Sequence, residues 1–213
     1  FYVDMLVDET NSRYQKFLCK SRKSIRYKRK YIFVGDKVIL SEINYTDNTA
    51  VIENLLERQN IFYRPKVANI SDIYIIHSIK HPKLNYSQLS DFLINAESLA
   101  VRVSLILTKS DLIHFDKHSY LFEKFKNWGY KPKILSLTSN EEMKDLIYEL
   151  KTKKCSILMG PSGVGKTTLL NRIIPNAARA TASVSNKIKR GKNTTRNIEL
   201  FQLSRESYIV DTP

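Results

Sequence analysis

The segment "GPSGVGKT", residues 160–167, limits what this 213-residue chain can fold into more than any other stretch. It fits the pattern G-x-x-x-x-G-K-[ST], in which a glycine-rich loop joins a strand to a helix and its backbone N–H groups surround a phosphate. The apolar "CSILMG" before the loop is typical of a buried strand, and "KTTLLNRII" after it is typical of a helix. The segment therefore predicts an α/β nucleotide-binding domain.

The residue types of this loop predict separate chemical roles. Lys166 is predicted to reach the β- and γ-phosphates and to stabilise charge during hydrolysis, and the Thr167 hydroxyl to bind Mg²⁺. Asp211 ends the apolar strand "SYIVD", a position from which a carboxylate can hold Mg²⁺ directly or through water. The residues predicted here to contact nucleotide are Gly160, Pro161, Ser162, Gly163, Val164, Gly165, Lys166, Thr167 and Thr168.

A second segment, "LILTKSDL" at 105–112, predicts which base is bound. A buried strand leads into Thr108, Lys109, Ser110 and Asp111, and the aspartate can accept hydrogen bonds from guanine N1–H and N2–H₂, a pattern that adenine lacks. Ser136 and Leu137 follow the next strand, where a backbone N–H can donate to guanine O6. Thr108 stands where the guanine-reading motif N-K-x-D has asparagine, so an ATP-using enzyme remains the alternative at this point.

The distribution of strands and helices predicts two domains. Residues 1–64 contain about five short strands separated by turn residues, which favours a small closed barrel of the OB type. Residues 65–213 alternate strands and helices, which predicts a doubly wound α/β domain. Since fewer than fifty residues follow the phosphate-binding loop, most strands of this domain must precede it.

A formal net charge of +14 favours association with RNA or DNA. Between Glu149 and Glu199 the chain has eleven Lys and Arg residues and no acidic residue, and this stretch includes the phosphate-binding loop. A second basic run, "KSRKSIRYKRK" at 20–30, has seven basic side chains and either binds RNA or forms a solvated loop. The residues predicted to bind RNA are Arg26, Lys28, Arg29 and Lys30.

Other compounds and partners are not indicated by the sequence. No apolar run has the length of a membrane span, so we expect no membrane contact. Cys19 and Cys155 match neither a disulfide framework nor a metal-ligand spacing, so we expect reduced thiols and no zinc. We also expect a monomer.

The order of the motifs resembles that of a known group of proteins. T-K-S-D and S-L-T come before the phosphate-binding loop, and "GKNTT" and D-T-P come after it, whereas ordinary GTPases begin with the loop. This order resembles the circularly permuted GTPases, specifically the RsgA (YjeQ) family. The segments that carry the likeness are "VGDKV" (34–38), "ENLLERQNIFYRPKVANISD" (53–72), "GPSGVGKTTLLN" (160–171) and "RGKNTTRNIELFQL" (190–203).

The resemblance implies an OB-fold, a permuted GTPase domain and a small zinc-binding domain. It implies a GTPase that acts with Mg²⁺ in maturation of the small (30S) ribosomal subunit, that binds rRNA, and that works in a bacterial cytoplasm or a plastid stroma. Thr194 and Thr195 match the switch I threonines, which implies a catalytic and Mg²⁺-binding role for Thr195, although Asn193 and Arg196 depart from the family pattern.

The end of the sequence suggests a limit to this activity. The chain stops inside D-T-P-G, before the switch II segment and the zinc domain of the family. We therefore expect this chain to bind GTP and GDP but to turn GTP over slowly. A non-catalytic RNA-binding module that responds to nucleotide remains a further alternative.

Overall fold

The computed structural model describes residues 1–8, 10, 13–23, 25, 31–174 and 198–212. The chain forms two compact units, Phe1–Asn69 and Ile70–Pro213. The sequence placed the junction after residue 64; in the structure the residues just beyond it pair with strand 61–63 and so extend the first unit. Each unit is described separately.

The first unit is a small β structure. Its strands are β1 (Tyr2–Asp8), β2 (Arg13–Ser21), β3 (Val38–Asn44), β4 (Thr49–Leu55), β5 (Ile61–Tyr63) and β6 (Lys66–Ala68). The first four form a sheet in the order β1-β2-β4-β3, in which β2 and β4 are parallel and the other pairs are antiparallel. Strands β5 and β6 form an antiparallel hairpin.

This sheet curls around its own apolar side. Along β2, Phe17 and Cys19 are buried while Leu18 between them is half exposed, the alternation expected of a strand with one covered face. Register shifts interrupt β1 against β2 and β3 against β4, and such bulges bend the strands. The core that the curled sheet encloses consists of Phe17, Cys19, Ile25, Ala50 and Ile52.

The second unit is a six-stranded sheet covered by helices. Its strands are β7 (Asp72–Ser78), β8 (Arg102–Thr108), β9 (Lys133–Leu135), β10 (Cys155–Met159), β11 (Glu199–Gln202) and β12 (Tyr208–Asp211), in the order β11-β12-β10-β7-β8-β9. The helices are α1 (Tyr86–Glu97), α2 (Phe115–Asn127), α3 (Asn140–Lys151) and α4 (Lys166–Ile173), with a 3-10 turn at Ser110–Leu112. Only β11 runs antiparallel to its neighbour among these described strands.

The sequence explains the layers of this unit. Every residue of β7 is buried, as expected of a central parallel strand covered on both faces. The side chains of Asn85 and Ser139 accept hydrogen bonds from the third residue of α1 and α3, and so fix where these helices begin. Leu146 and Leu150 of α3 and Leu169 of α4 pack into a common core.

The topology creates a crevice at the centre of the sheet. From β7 the chain moves outward to β8 and β9, then returns to the opposite side of β7 with β10. In an open α/β sheet the loops diverge at such a reversal and leave space for a ligand at the carboxyl ends of the strands. The strands predicted to precede the phosphate-binding loop thus lie in one sheet with β10, which confirms the predicted α/β domain. No described helix is long and apolar enough to cross a membrane.

Candidate nucleotide-binding site

The strand register brings the predicted site segments to one edge of the sheet. Parallel pairing places Thr108 of β8 opposite Leu135 of β9, and Asp211 of β12 opposite Leu158 of β10. The phosphate-binding loop follows β10 directly. The segments that follow β8, β9, β10 and β12 therefore all lie at the carboxyl ends of the strands, although they are far apart in sequence. This side of the sheet is called its carboxyl edge, and the side at which the parallel strands begin is called its amino edge.

Close packing of the backbone determines where glycine is required in the loop. At Gly160, with φ of +150°, a Cβ atom would lie 2.0 Å from the carbonyl oxygen of Ile76 in β7. At Gly165, with φ of +109°, it would lie 2.6 Å from Cδ1 of Leu137. A side chain at Gly160 would therefore separate β10 from β7, since the obstructing atom belongs to the backbone.

The loop and the start of α4 present donors. Backbone N–H groups of Gly163 and Gly165 donate to no group in the described part of the chain. The Lys166 amino group lies folded back on the loop and donates to the carbonyl oxygens of Gly160, at 2.7 Å, and Pro161, at 3.0 Å. Free amides at the beginning of a helix, with a cation beside them, form an anion-binding site.

Lys166 is buried, and its surroundings disfavour its charge. Burial lowers the pKa of Lys166, while the nearby Asp211 carboxylate raises it and partly offsets that effect. An anion placed among the loop amides would restore the lost solvation of the ammonium group.

Asp211 is the acidic counterpart at the end of β12. Burial raises the pKa of Asp211, which Lys166 and the Thr212 amide partly counteract. Within the described residues, Asp211 Oδ1 is buried and accepts no hydrogen bond. The Thr212 hydroxyl donates to the Leu158 carbonyl at 2.7 Å and so holds this strand end against β10. An unpaired buried carboxylate oxygen is suited to a cation or to a cation's water.

Thr108 and Lys109 of the segment 108–111 form hydrogen bonds with the phosphate-binding loop. The buried Thr108 hydroxyl lies 2.6 Å from the Val164 carbonyl, to which it donates. The Lys109 amino group donates to the Gly163 carbonyl at 3.0 Å and also to the His81 carbonyl. Threonine in place of asparagine thus still connects this segment to the loop.

The base-reading candidates differ in their surroundings. Asp111 lies exposed in the 3-10 turn Ser110–Leu112, and its carboxylate accepts no hydrogen bond from the described residues. Its neighbour in this turn, Ser110, is buried. After β9, the Ser136 N–H donates to Glu142 Oε2 at 2.5 Å, and the Leu137 side chain packs against Gly165.

Some predicted residues lie near the surface of the loop, and others lie outside the described residues. Ser162, Gly163, Thr167 and Thr168 are exposed and Pro161 is partly exposed. Thr194, Thr195 and the four predicted RNA-binding residues Arg26, Lys28, Arg29 and Lys30 are outside the described ranges, so their assignments stay predictions.

Two contributors to this edge have no counterpart in the sequence motifs. The segment after β7 reaches the loop, because His81 accepts from Lys109 and Pro82 Cδ would lie 3.6 Å from a Cβ at Gly163. Glu142 of α3 fixes the segment after β9 through the Ser136 N–H. A helix-capping pattern at Ser139–Glu142 is visible in the sequence, but the contact with Ser136 requires the fold.

Comparison with known proteins agrees with this geometry. A model of the family described as RsgA GTPase matches residues 55–213. A Prochlorococcus marinus protein named small ribosomal subunit biogenesis GTPase RsgA is 38% identical over 198 residues, which cover 93% of this chain and 64% of that protein. A Synechococcus protein of the same name is 33% identical over 213 residues, which cover 100% of this chain and 70% of that protein.

Solved structures show the same fold. The crystal structure of YjeQ from Thermotoga maritima has a TM-score of 0.76 and 28% identity, and covers 100% of this chain and 70% of that one. YloQ, described as a circularly permuted GTPase, has a TM-score of 0.72 and 25% identity, with 100% and 67% covered. The predicted fold class, an N-terminal OB-type barrel followed by an α/β GTPase domain with permuted motif order, is thereby confirmed. The chain spans 64% of the length of the Prochlorococcus relative.

Proposed function

The chain belongs to the RsgA GTPase family, and from that premise we propose that it binds GTP and GDP with Mg²⁺ and hydrolyses GTP during maturation of the small ribosomal subunit. The names of the relatives supply the biological process. The site geometry supplies the reason to expect guanine nucleotide chemistry in this chain.

One observation carries the nucleotide proposal: Thr108 and Lys109 bind the phosphate-binding loop through Val164 and Gly163. These contacts tie the segment that contains Asp111 to the loop whose free amides form the proposed phosphate site. A nucleotide that places its phosphates on the loop would have its base directed toward Asp111, which has its carboxylate available. Two acceptor oxygens match N1–H and N2–H₂ of guanine, and adenine cannot supply that pair.

The residues present fit a magnesium ion. Asp211 contributes a buried oxygen without a partner among the described residues, and Thr167 contributes an exposed hydroxyl at the first turn of α4. Hydroxyl and carboxylate oxygens together with phosphate oxygens are the ligands that Mg²⁺ prefers. Bound there, the ion would neutralise charge that develops on the phosphates during transfer. We propose Thr167, Asp211 and Thr195 as its protein ligands or as ligands of its waters.

Lys166 has the central chemical role in this proposal. Its ammonium group leaves the carbonyls of Gly160 and Pro161 and donates instead to β- and γ-phosphate oxygens. There it stabilises the charge on the γ-phosphate as water attacks, and it regains the solvation that burial removed. Thr195 is proposed to contribute to the same step. The nucleotide-contacting set is Thr108, Lys109, Ser110, Asp111, Ser136, Leu137 and residues 160–168.

We propose that the partners are the small subunit and its rRNA, with Arg26, Lys28, Arg29 and Lys30 among the RNA contacts. The net charge of +14 supports a large anionic partner such as rRNA. The same proposal includes a monomeric protein without a zinc site in this chain, acting in a bacterial cytoplasm or a plastid stroma. It also assigns the barrel to the first unit and the GTPase domain to the second, which the sequence predicts as 1–64 and 65–213 and the structure divides after Asn69.

Isothermal titration calorimetry with GDP and ADP tests the nucleotide assignment. We expect GDP to bind at least about a hundredfold more tightly than ADP in the presence of Mg²⁺, because Asp111 would face an unmatched purine edge in ADP. Equal affinities, or a preference for ADP, would remove guanine recognition from the proposal.

Turnover with and without small ribosomal subunits tests the biological assignment. We expect subunits to increase phosphate release from GTP, and large subunits at the same concentration to leave it unchanged. No stimulation, combined with intact GDP binding, would contradict the role in subunit maturation while leaving the nucleotide site in place.

A further inference from the structure

We propose that the first unit carries a site that stacks unpaired RNA bases on the aromatic-basic patch formed by Tyr31, Phe33, Tyr63 and Lys66. The inference rests on the proposed association with RNA and adds a distinct contact to it. The patch lies in the segment before β3 and in the β5–β6 hairpin. Aromatic faces rather than charges dominate this patch, which distinguishes its chemistry from that of the basic run proposed above.

The patch contains two aromatic rings that the fold leaves open. Tyr31 is 70% exposed and Tyr63 is 66% exposed. The Phe33 ring lies 6.5 Å from the Tyr63 ring at an interplanar angle of 79°. The Lys66 amino group lies 5.6 Å from the Tyr31 ring and 5.8 Å from the Phe33 ring. Two exposed tyrosines on a shared support form a larger apolar surface than isolated exposed rings do.

The support beneath these rings is fixed. The Arg58 guanidinium lies 4.4 Å from the centre of the Phe33 ring and donates two hydrogen bonds to Asp36, of 2.6 and 2.7 Å. Asp36 also accepts from the Phe33 N–H at 2.7 Å, and Arg58 donates to the Tyr31 carbonyl. These contacts hold the Tyr31–Phe33 segment in one arrangement, which lowers the entropic cost of ordering it around a ligand.

The charges of the patch select an anionic ligand. Asp36 neutralises Arg58, whereas Lys66 and Arg64 have no carboxylate partner among the described residues and remain exposed. A tyrosine ring offers a face on which a base of any sequence can stack, and a nearby cation can contact the phosphate between bases. A base pair inside a duplex keeps its faces covered by its neighbours, so the ligand is a single-stranded segment. An apolar protein partner would leave the two cations without compensation.

Fluorescence anisotropy with the whole chain tests this site. The probes are a labelled oligoadenylate of about ten nucleotides, within the span that one such barrel covers, and a duplex of the same length. We expect Tyr63→Leu and Tyr31→Leu each to weaken oligoadenylate binding about fivefold to tenfold, and Tyr63→Phe to retain it. Lys66→Ala should weaken binding and reduce the slope of log affinity against log salt by about 0.7.

Controls separate stacking from other causes. Tyr148→Leu removes a tyrosine that is 74% exposed on α3 and should leave oligoadenylate affinity unchanged. Unchanged affinity in Tyr63→Leu and Tyr31→Leu overturns the proposal, as does an equal loss for the duplex, since backbone contacts alone would explain it. Loss of self-association in these variants, with RNA affinity intact, would assign the patch to a protein partner instead. GDP affinity is measured in parallel: its absence in the wild-type chain contradicts the proposed function, whereas its presence with unaltered RNA binding contradicts only this site.

Discussion

The two edges of the parallel sheet in the second unit differ in how their buried charged groups are paired. At the carboxyl edge, Lys166 is buried against loop carbonyls and Asp211 keeps an oxygen without a partner among the described residues. At the amino edge, Asp72 accepts from Arg102 at 2.8 Å and lies 3.9 Å from Lys153. The carboxyl edge thus holds charges that the described residues leave partly unpaired, and the amino edge holds charges that the described residues pair among themselves.

Backbone and hydroxyl groups at the amino edge follow the same rule. The Ser71 hydroxyl accepts from the Cys155 N–H at 2.9 Å, and the Ser71 N–H donates to the Cys155 carbonyl at 2.8 Å. The Ser207 hydroxyl donates to the Leu150 carbonyl at 2.9 Å. Ser156 is an exception, because its hydroxyl is buried without a partner within the described ranges and nothing in the structure explains it.

This difference separates stability from binding. A buried polar group costs free energy unless it is paired, so a fold normally pairs such groups internally. Where buried polar groups lack partners among the described residues, as at the carboxyl edge, a ligand that pairs with these groups recovers the free energy that their burial cost on folding. Substitutions at the amino edge should therefore destabilise the fold without changing affinity, whereas substitutions at the carboxyl edge should weaken affinity far more than they destabilise the ligand-free fold.

The largest expected effect is that of Lys166→Met on nucleotide affinity. Removing the cation that we propose contacts the phosphates should weaken GDP binding by at least about thirtyfold, the usual range for truncating one side of a buried charged contact. Calorimetry measures this loss. Because burial already lowers the pKa of Lys166 in the ligand-free fold, its removal should change the free energy of unfolding less than it changes that of GDP binding.

Lys151→Met is the matched control for that substitution. Lys151 ends α3 and is exposed, so its removal should leave GDP affinity unchanged. A similar loss of affinity in both variants would attribute the effect to general charge rather than to a contact at the loop.

Asp111→Asn should alter specificity with a slightly smaller effect. The amide can still accept from guanine N1–H, but its nitrogen faces the N2–H₂ donor, so GDP binding should weaken about tenfold to a hundredfold. The same nitrogen can donate to the O2 atom of xanthine, so xanthosine diphosphate should bind the variant more tightly than the wild type. Calorimetry with both nucleotides measures the exchange, and unaltered GDP affinity would show that Asp111 does not contact the base.

Arg102→Ala tests the other edge. It leaves the buried Asp72 carboxylate with Lys153 alone, at 3.9 Å, and should lower the free energy of unfolding by about 1 kcal/mol. The effect stays below that of a fully buried pair because the Arg102 side chain is 59% exposed and solvent screens it. Urea unfolding measures the loss, while GDP affinity should be unchanged.

Lys126→Ala serves as its control, since the ion pair of Lys126 with Glu123 is exposed on both sides and should contribute less than about 0.5 kcal/mol. If Arg102→Ala weakened GDP binding as much as it lowered stability, the two edges would be energetically coupled. Binding and stability would then not depend on separate edges.

Much of the carboxyl edge could be predicted from the sequence, because its chemistry lies in short segments. The loop at 160–167 and the aspartate ending "SYIVD" each follow a buried strand, and strand ends of a parallel sheet meet at one edge. Which segments touch could not be predicted. The contacts of Thr108 with Val164 and of Leu137 with Gly165 depend on the strand order, which brings β9 beside β8 and β10 beside β7.

Helix boundaries and the amino edge show the same limit. Helix α2 begins at Phe115, and the polar residues of its first turn weaken the periodic apolar pattern from which a helix start is predicted. Asp72 and Arg102 stand thirty residues apart, and only the parallel register of β7 and β8 places them opposite each other. Long-range pairing has no local sequence pattern from which it could be predicted.

The smallest expected effect is that of Asp211→Asn on the free energy of unfolding. Its sign is opposite to that of Arg102→Ala at the other edge. Burial raises the pKa of Asp211 in the folded chain above its ordinary value of 3.8, so the folded state binds more protons than the unfolded state between these two values. Stability contributed by this group is therefore lost as pH rises through that window, and at neutral pH the wild type retains the cost of a buried carboxylate.

An amide at this position is cheaper to bury, so the ligand-free variant should be more stable than the wild type by up to about 1 kcal/mol at pH 7, with the difference vanishing below the ordinary pKa of an aspartate. Addition of Mg²⁺ and GDP should reverse the order, because only the carboxylate completes the cation's ligands. Urea unfolding with and without the ligands, across pH, measures both signs. A ligand-free variant less stable than the wild type at neutral pH would mean that Asp211 has sufficient partners within the fold, as Asp72 does. The carboxyl edge would then not require a cation.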